Sequence, residues 1–300
     1  MTSSGLPRLP DLADLPDLPA GRDRPAPAWT RRRVRVTADF YRTVFRTAIV
    51  SQFQYRGPNY FYMIGMVTEP VVYLVVWTTV ARAQGGSVGG ITPGEFAAYY
   101  IVWTLVRNMN IVLTPYAWED RIRNGQLSGE LLRPVHPIHH DIAYFAGWKV
   151  PVIAMWLPVG AVLTLLFRPA FDVTPLEVAV FAVAIWGAFL VRTMFMWVLG
   201  LLTFWTTRVG AVFQVWFTAE LLLSGRLVPL ALMPDWVTTI GAFTPFPSSF
   251  GFPIDSLVGD LSTAELLRGL AAQAMWVSIG AAVVAVTWRF AVRRFSSVGN

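Results

Sequence analysis

LEVAVFAVAIWGAFLVRTMFMWVLGLLTFW, residues Leu176–Trp205, is apolar on every side of a helix, with only Glu177 and Arg192 charged. A hydrocarbon core of roughly 30 Å needs about 20 mainly apolar residues in helix, and this run meets that length. Five further runs do the same: Tyr60–Val80, Phe96–Ala117, Trp148–Phe167, Val209–Ala231 and Arg268–Phe290. With 55% hydrophobic residues, 14% charged and a mean hydropathy of +0.50, a soluble fold would have to bury several all-round apolar helices inside 300 residues. The expected fold is an all-α integral membrane protein with six transmembrane helices.

Arginine placement sets the expected orientation, because short loops rich in Lys and Arg stay in the cytoplasm. Ten arginines precede Gly57; Arg121, Arg123 and Arg133 follow the second run, Lys149 and Arg208 flank later runs on the same side, and Arg289, Arg293 and Arg294 close the chain. Only Arg82, Arg168, Arg226 and Arg268 fall on the other face. Both basic termini inside require an even number of crossings. The net charge of +6 is then mainly a topology signal, with anionic headgroups as a second target and nucleic acid not expected as a partner. No secretory signal peptide is visible, since residues 1–34 are Pro-rich and polar. The chain has no cysteine, which excludes disulfides, thiol chemistry and cysteine metal sites.

Residues 1–34, with repeated Leu-Pro units, read as a disordered cytoplasmic tail. Over 35–57 the period changes. Val36, Phe40, Tyr41, Val44, Phe45, Ala48, Ile49 and Phe53 form an apolar stripe, with Arg42, Arg46 and Gln54 away from it; this is the pattern of a helix lying in the membrane interface. Gly57 and Pro58 break it before the transmembrane domain, 58–300.

Two connections stand out. WEDRIRNGQLSGELLRPVHPIHHD, Trp118–Asp141, is too long for a tight hairpin and too short to fold alone. Ile122, Leu127, Leu131 and Leu132 give an apolar edge, and Glu119, Asp120, Arg121 and Arg123 a charged one, with Pro134 and Pro137 as stops. The pattern suits a short amphipathic helix over 118–140 that docks in a partner's groove; a loop folded back on its own spans is the alternative. The second connection, 224–259, is punctuated by Pro229, Pro234, Pro245, Pro247 and Pro253 yet stays apolar and aromatic between them. Broken apolar backbone is tolerated at membrane depth only when buried in protein or lining a cavity, so short re-entrant half-helices are expected there.

Gly125, Leu127, Leu131, Leu132, Arg133 and Pro134, a G-x-L-x-x-x-L-L-R-P run, followed by Ser224, Gly225, Pro229, Pro234, Pro245, Phe246, Pro253 and Gly259, resemble an ABC-2 type transporter permease of the six-span bacterial kind. The resemblance covers about residues 36–295. It implies that the N-terminal helix is an elbow helix and that the 118–140 stretch, with Glu119 and Arg123, carries the coupling helix docking on a separately encoded ATPase. It also implies re-entrant extracellular helices after the fifth span, two ATPase subunits, and two permease subunits as a homodimer or heterodimer.

The chain is not expected to be an enzyme by itself. A phosphate-binding loop G-x-x-x-x-G-K-[ST] needs a lysine, and the only one, Lys149, sits in Gly-Trp-Lys-Val-Pro. No cofactor is expected in this chain, ATP and Mg belonging to the partner. HExxH does not occur. His136, His139 and His140 occupy one loop without a second cluster, so a polar loop is favoured over a metal site.

Four charges fall inside the spans: Glu69, Arg107, Arg192 and Glu220. A charge at mid-bilayer costs at least about 2.5–3.5 kcal/mol, so each should face protein or water; by depth, Glu69 matches Arg107 and Arg192 matches Glu220, and structural pairing is favoured over direct substrate contact or a proton relay. Tyr60, Tyr62, Trp77, Tyr99, Tyr100, Trp118, Trp148, Trp205, Trp236 and Trp288, near run ends, are expected as interface anchors. The functional expectation is a permease subunit of an ATP-driven exporter for a lipid-like or amphipathic substrate, in contact with membrane lipids in the bacterial plasma membrane. An ion-coupled carrier or channel, which would use the membrane charges directly, and a membrane-embedded lipid-modifying enzyme are the alternatives.

Overall fold

The computed structural model describes residues 28–54, 56–112, 115–206 and 209–294, without the side chains at 28–34, 56–64, 66, 67, 115, 116 and 123. The described residues are 81% helical, with no strand among them. It divides into two compact units, 1–40 and 41–300. The expected disordered tail and Arg208 lie outside what is described, as do the side chains of Tyr60 and Tyr62, except that backbone helix already begins at Ala28, ahead of the expected boundary at 35. Pro27 is the last proline before this helix, and proline weakens a helix interior by removing a backbone donor. In the first unit, residues 35–39 are exposed.

The helices run in order α1 (Ala28–Gln54), α2 (Arg56–Ala83), α3 (Pro93–Met109), α4 (Pro115–Arg123), α5 (Gln126–Leu131), α6 (Pro137–Phe167), α7 (Pro175–Leu201), α8 (Gly210–Leu223), α9 (Asp235–Ala242), α10 (Phe246–Ser249), α11 (Gly251–Val258) and α12 (Thr263–Arg294). Among the described residues, three helices are long and apolar enough to cross a membrane: Pro137–Phe167, Pro175–Phe204 (α7 with its 3₁₀ extension) and Thr263–Arg294. With the shorter apolar helix α8, the arrangement is that of an all-α membrane protein.

Several boundaries differ from expectation. The second apolar run, expected to Ala117, stops as helix at Met109, where the polar Asn108 and Asn110 interrupt it and Pro115 starts a new helix. The fifth, expected to Ala231, stops at Leu223, because Gly225 turns into the left-handed region at φ 83°. The third starts earlier than Trp148, at Pro137, so His139 and His140 lie in the first turn of α6 and not in a loop. Pro137 occupies the first helical position, where its missing N–H costs nothing.

Helix starts are well marked. Thr92 and Glu95 form a capping box on α3, Thr174 and Glu177 another on α7, and Ser262 and Glu265 exchange the same hydrogen bonds ahead of α12. α3 is the central helix. Every residue from Phe96 to Val106 is buried, by packing against α2, α6, α7 and α11. α7 packs chiefly along α12; Gln273 of α12 is buried and donates through Nε2 to Ala184 O at 2.9 Å and Ser248 O at 2.8 Å, so one amide joins α12, α7 and α10. The segment Tyr41–Gln54 of α1 buries Ala48 against Gly147 of α6, with Arg42 and Arg46 exposed. Tyr41 Oη lies 2.7 Å from His139 Nδ1.

Candidate functional site

The connection between α3 and α6 forms a corner of two helices, α4 and α5, where one was expected. Gly125 separates them in the left-handed region at φ 67°, a conformation that costs a glycine nothing. Trp118 of α4 is fully buried, its ring edge-on to Trp197 at 4.7 Å. Gly200 of α7 is the notch for that indole, since a Cβ there would overlap it.

Arg121 binds the corner together. Its Nη1 and Nη2 donate to Asp141 Oδ2 at 2.9 Å and Oδ1 at 2.8 Å, its Nε stands 3.5 Å from Glu130 Oε1, and the guanidinium lies 5.2 Å from the Trp118 ring centroid. A bidentate pair of this kind combines charge with fixed geometry, and here it joins α4, α5 and α6. Burial raises the Glu130 carboxyl above the usual carboxylate range, against the lowering effect of Arg121.

The expected apolar edge is therefore split. Leu127 is fully buried, Leu131 is half-buried, and Leu132 projects with 89% of its surface exposed. Gly125, Arg133 and Pro134 are exposed beside it, and Glu119 is half-buried; the Arg123 side chain lies outside the described residues. Arg121, assigned to the charged outer edge, points inward, because only there does it meet Asp141. The corner is folded back on its own helices at Trp118 and Leu127 while presenting Leu132–Pro134 outward.

His136 caps α6, its Nδ1 accepting from Ile138 N at 3.2 Å, and its ring packs 4.3 Å from Trp288. Burial first, then His139, hold this imidazole below its ordinary range, with Asp141 opposing. A lowered folded-state pKa means that the unfolded chain binds the proton more readily, so stability is complete above the unfolded value of about 6.5 and declines as pH falls below it. Lowering the pH from about 7.5 to about 5.5 is expected to lower the melting temperature in detergent. His136→Asn, which keeps a cap acceptor that does not titrate, should reduce that drop; an unchanged drop would assign the pH sensitivity elsewhere.

The structure brings the four intramembrane charges together in two pairs. Arg107 Nη2 stands 2.6 Å from Glu69 Oε2, with the side chains 26% and 32% exposed. Arg192 contacts Glu220, which is 1% exposed. Lys149 is also fully buried, its Nζ donating to Asn108 O at 3.4 Å and to Ile111 O. The Lys149 amine thereby supplies a donor at the C-terminal end of α3, where helix carbonyls lack intrahelical partners.

The break after α8 is clamped to α3. Tyr99 Oη donates to Gly225 O at 2.7 Å, Tyr100 Oη to Leu227 O at 3.2 Å, and Trp103 Nε1 to Arg226 O at 2.9 Å. Asn110 Nδ2 donates to Ser249 O. Buried backbone carbonyls need such partners; here four side chains of α3 and its C-cap supply them. Phe246, Phe250 and Ile254 are buried, and Pro253 with them. Pro229 precedes the 3₁₀ turn Leu230–Leu232, Pro234 caps α9, Pro245 caps α10, and Gly259 ends α11. Trp236, Ile240 and Phe243 form an exposed apolar stripe on α9.

Tyr99, Tyr100 and Trp118 are corrections: they are 5%, 0% and 0% exposed, buried donors or packing residues in place of interface anchors. Hydropathy reads a ring at a run end alike whether it meets headgroups or protein. Arg121, Asp141, Lys149 and Arg226 were not singled out as site residues either. The signal present was Arg121 and Asp141 flanking one connection with opposite charge. Among the described residues, no group of three His, Asp or Glu is placed to hold a metal ion.

A family model described as ABC-2 family transporter protein matches residues 67–299. No curated protein and no solved structure gives a match.

Proposed function

Because this chain belongs to the ABC-2 family of transporter proteins, the permease components of ABC transporters, we propose that it is a permease moved by ATP hydrolysis on separate ATPase subunits, and that it works as an exporter of a lipid-like or amphipathic substrate. In this reading the protein lies in the bacterial plasma membrane with both termini in the cytoplasm. The N-terminal segment forms a tail, α1 an interfacial helix and 58–300 the transmembrane domain. Two ATPases dock on the 118–140 segment and hold the ATP and Mg. Two permease copies, identical or related, line the pathway, and the 224–259 segment caps it on the outer side.

The observation that carries this reading is the α4–α5 corner. Leu132, Arg133 and Pro134 are exposed at its tip, while Trp118 is seated in the Gly200 notch and Arg121 is locked to Asp141. A tip that moves with its anchors transmits force; a floppy loop does not. A partner closing on Leu132 would shift α4 and α5 as one body and, through Trp118 and Asp141, displace α7 and α6. Isolation of the full chain from native membranes in mild detergent is expected to bring down an ATP-binding subunit. Recovery of the chain at full yield with no nucleotide-binding partner would overturn the reading.

A further inference from the structure

The Glu69 pair differs from the Arg192 pair in two respects that bear on what the pathway accepts. It is partly open, whereas Glu220 is sealed at 1% exposure. It is unbalanced, because Arg226 also turns toward Glu69, with Nη2 3.8 Å from Oε1; two guanidinium groups face one carboxylate. Arg226 Nε, like Arg192 Nε in the sealed pair, is buried without a hydrogen-bond partner among the described residues.

Arg226 is also held in place. Its own carbonyl accepts from Trp103 Nε1, those on either side accept from Tyr99 and Tyr100, and Gly225 gives the left-handed turn that aims the residue back toward α2 and α3. Aromatic rings flank both guanidinium groups: Arg107 lies 5.6 Å from the Trp103 centroid and Arg226 6.0 Å from that of Phe250. Tyr73 packs edge-on to Trp103 at 5.7 Å. Burying an unbalanced cation in such surroundings is costly unless an anion joins it.

We propose that Arg226 and Arg107, with the rings of Trp103, Phe250 and Tyr73, form a binding site for the anionic headgroup of an amphiphile, a carboxylate or phosphate on an apolar tail, and that Glu69 is the internal anion which that headgroup displaces from Arg226. The 3.8 Å contact is the looser of Glu69's two guanidinium contacts, so it yields first, while Arg107 at 2.6 Å retains the carboxylate. The guanidinium fork of Arg226 then takes two oxygens of the ligand, and the tail lies along the aromatic wall. This deepens the transport reading and rests on it for its purpose, but the binding itself needs no ATPase.

The test uses the full chain in phosphatidylcholine nanodiscs without any partner, followed by tryptophan fluorescence, with empty discs subtracted. Dodecanoate is expected to bind about tenfold more tightly than dodecyltrimethylammonium. Arg226→Gln should remove that preference, Arg226→Lys should keep part of it, and Glu69→Gln should tighten dodecanoate binding by removing its competitor. A merely structural role for Glu69 would weaken binding or leave it unchanged. Equal or tighter binding of the cationic amphiphile, or an unaltered preference in Arg226→Gln, would overturn the proposal. Discs containing phosphatidylglycerol identify the source: competition with dodecanoate shows that bilayer lipid supplies the headgroup, and its absence shows a free amphiphile, the anionic site being supported in both. Loss of ATP-dependent transport with dodecanoate binding intact would count against the transport reading alone, and the reverse result against this site alone.

Discussion

Arg192→Met is expected to destabilise the folded protein by about 3–5 kcal/mol, the range found when one member of a buried ion pair is removed. Glu220 is 1% exposed on α8 and Arg192 is its partner on α7. With the guanidinium gone, the carboxylate stays in an apolar setting with no cation, or takes up a proton that has no acceptor built for it. Arg192→Met combined with Glu220→Leu removes both charges and keeps the volume, so most of the stability should return. The two substitutions are in contact and their effects are not additive. Denaturant unfolding of the single and double variants in the same detergent checks this; a double variant as unstable as the single would mean that packing, not charge, governs the site.

Leu132→Asp is expected to abolish stimulation of the partner ATPase while leaving folding intact. At 89% exposure the side chain contributes little to the chain's own stability, and surface substitutions usually stay within about 0.5 kcal/mol. A charge at the centre of a docking contact is far more damaging, because a buried unpaired carboxylate at an interface costs several kcal/mol. Leu127→Asp is the contrast: Leu127 is fully buried, so that variant should fail by unfolding the corner. ATPase activity of the assembled complex, read against the thermal stability of the permease alone, separates the two. Full stimulation in Leu132→Asp would show that the exposed tip of the corner is not the docking point.

The fold class was legible because burial in lipid and burial in protein share one requirement, an apolar surface with every backbone group paired. That same equivalence hid much of the arrangement. Phe96–Val106 of α3 reads like a lipid-facing run, yet it is enclosed by protein on all sides. The ends of α3 and α8 were placed too late, because hydropathy carries on through Ile111, Val112 and Leu227, where helical hydrogen bonding has already stopped. Capping signals would have fixed other boundaries: Thr92-Pro93-Gly94-Glu95, Thr174-Pro175-Leu176-Glu177 and Ser262-Thr263-Ala264-Glu265 each mark a helix start by a local rule.

Depth counting brought Glu69 opposite Arg107 and Arg192 opposite Glu220, since each partner's distance from its span end is a sequence quantity. It did not reach Arg226, whose position depends on the left-handed turn at Gly225 and on three donors from α3. In the α4–α5 corner, Gly125 and the prolines were readable as punctuation. The inward turn of Arg121 was not, because it depends on Asp141, which becomes a neighbour only once α6 begins at Pro137.

The central claim is that this chain is a pathway without its own motor. Reconstituted in liposomes with the ABC ATPase recovered from its native membrane, it is expected to move an amphiphile only when ATP is hydrolysed, and vanadate should stop the movement. Transport of the same amphiphile at the same rate by liposomes containing this chain alone, with an ion gradient and no ATPase, would contradict the account.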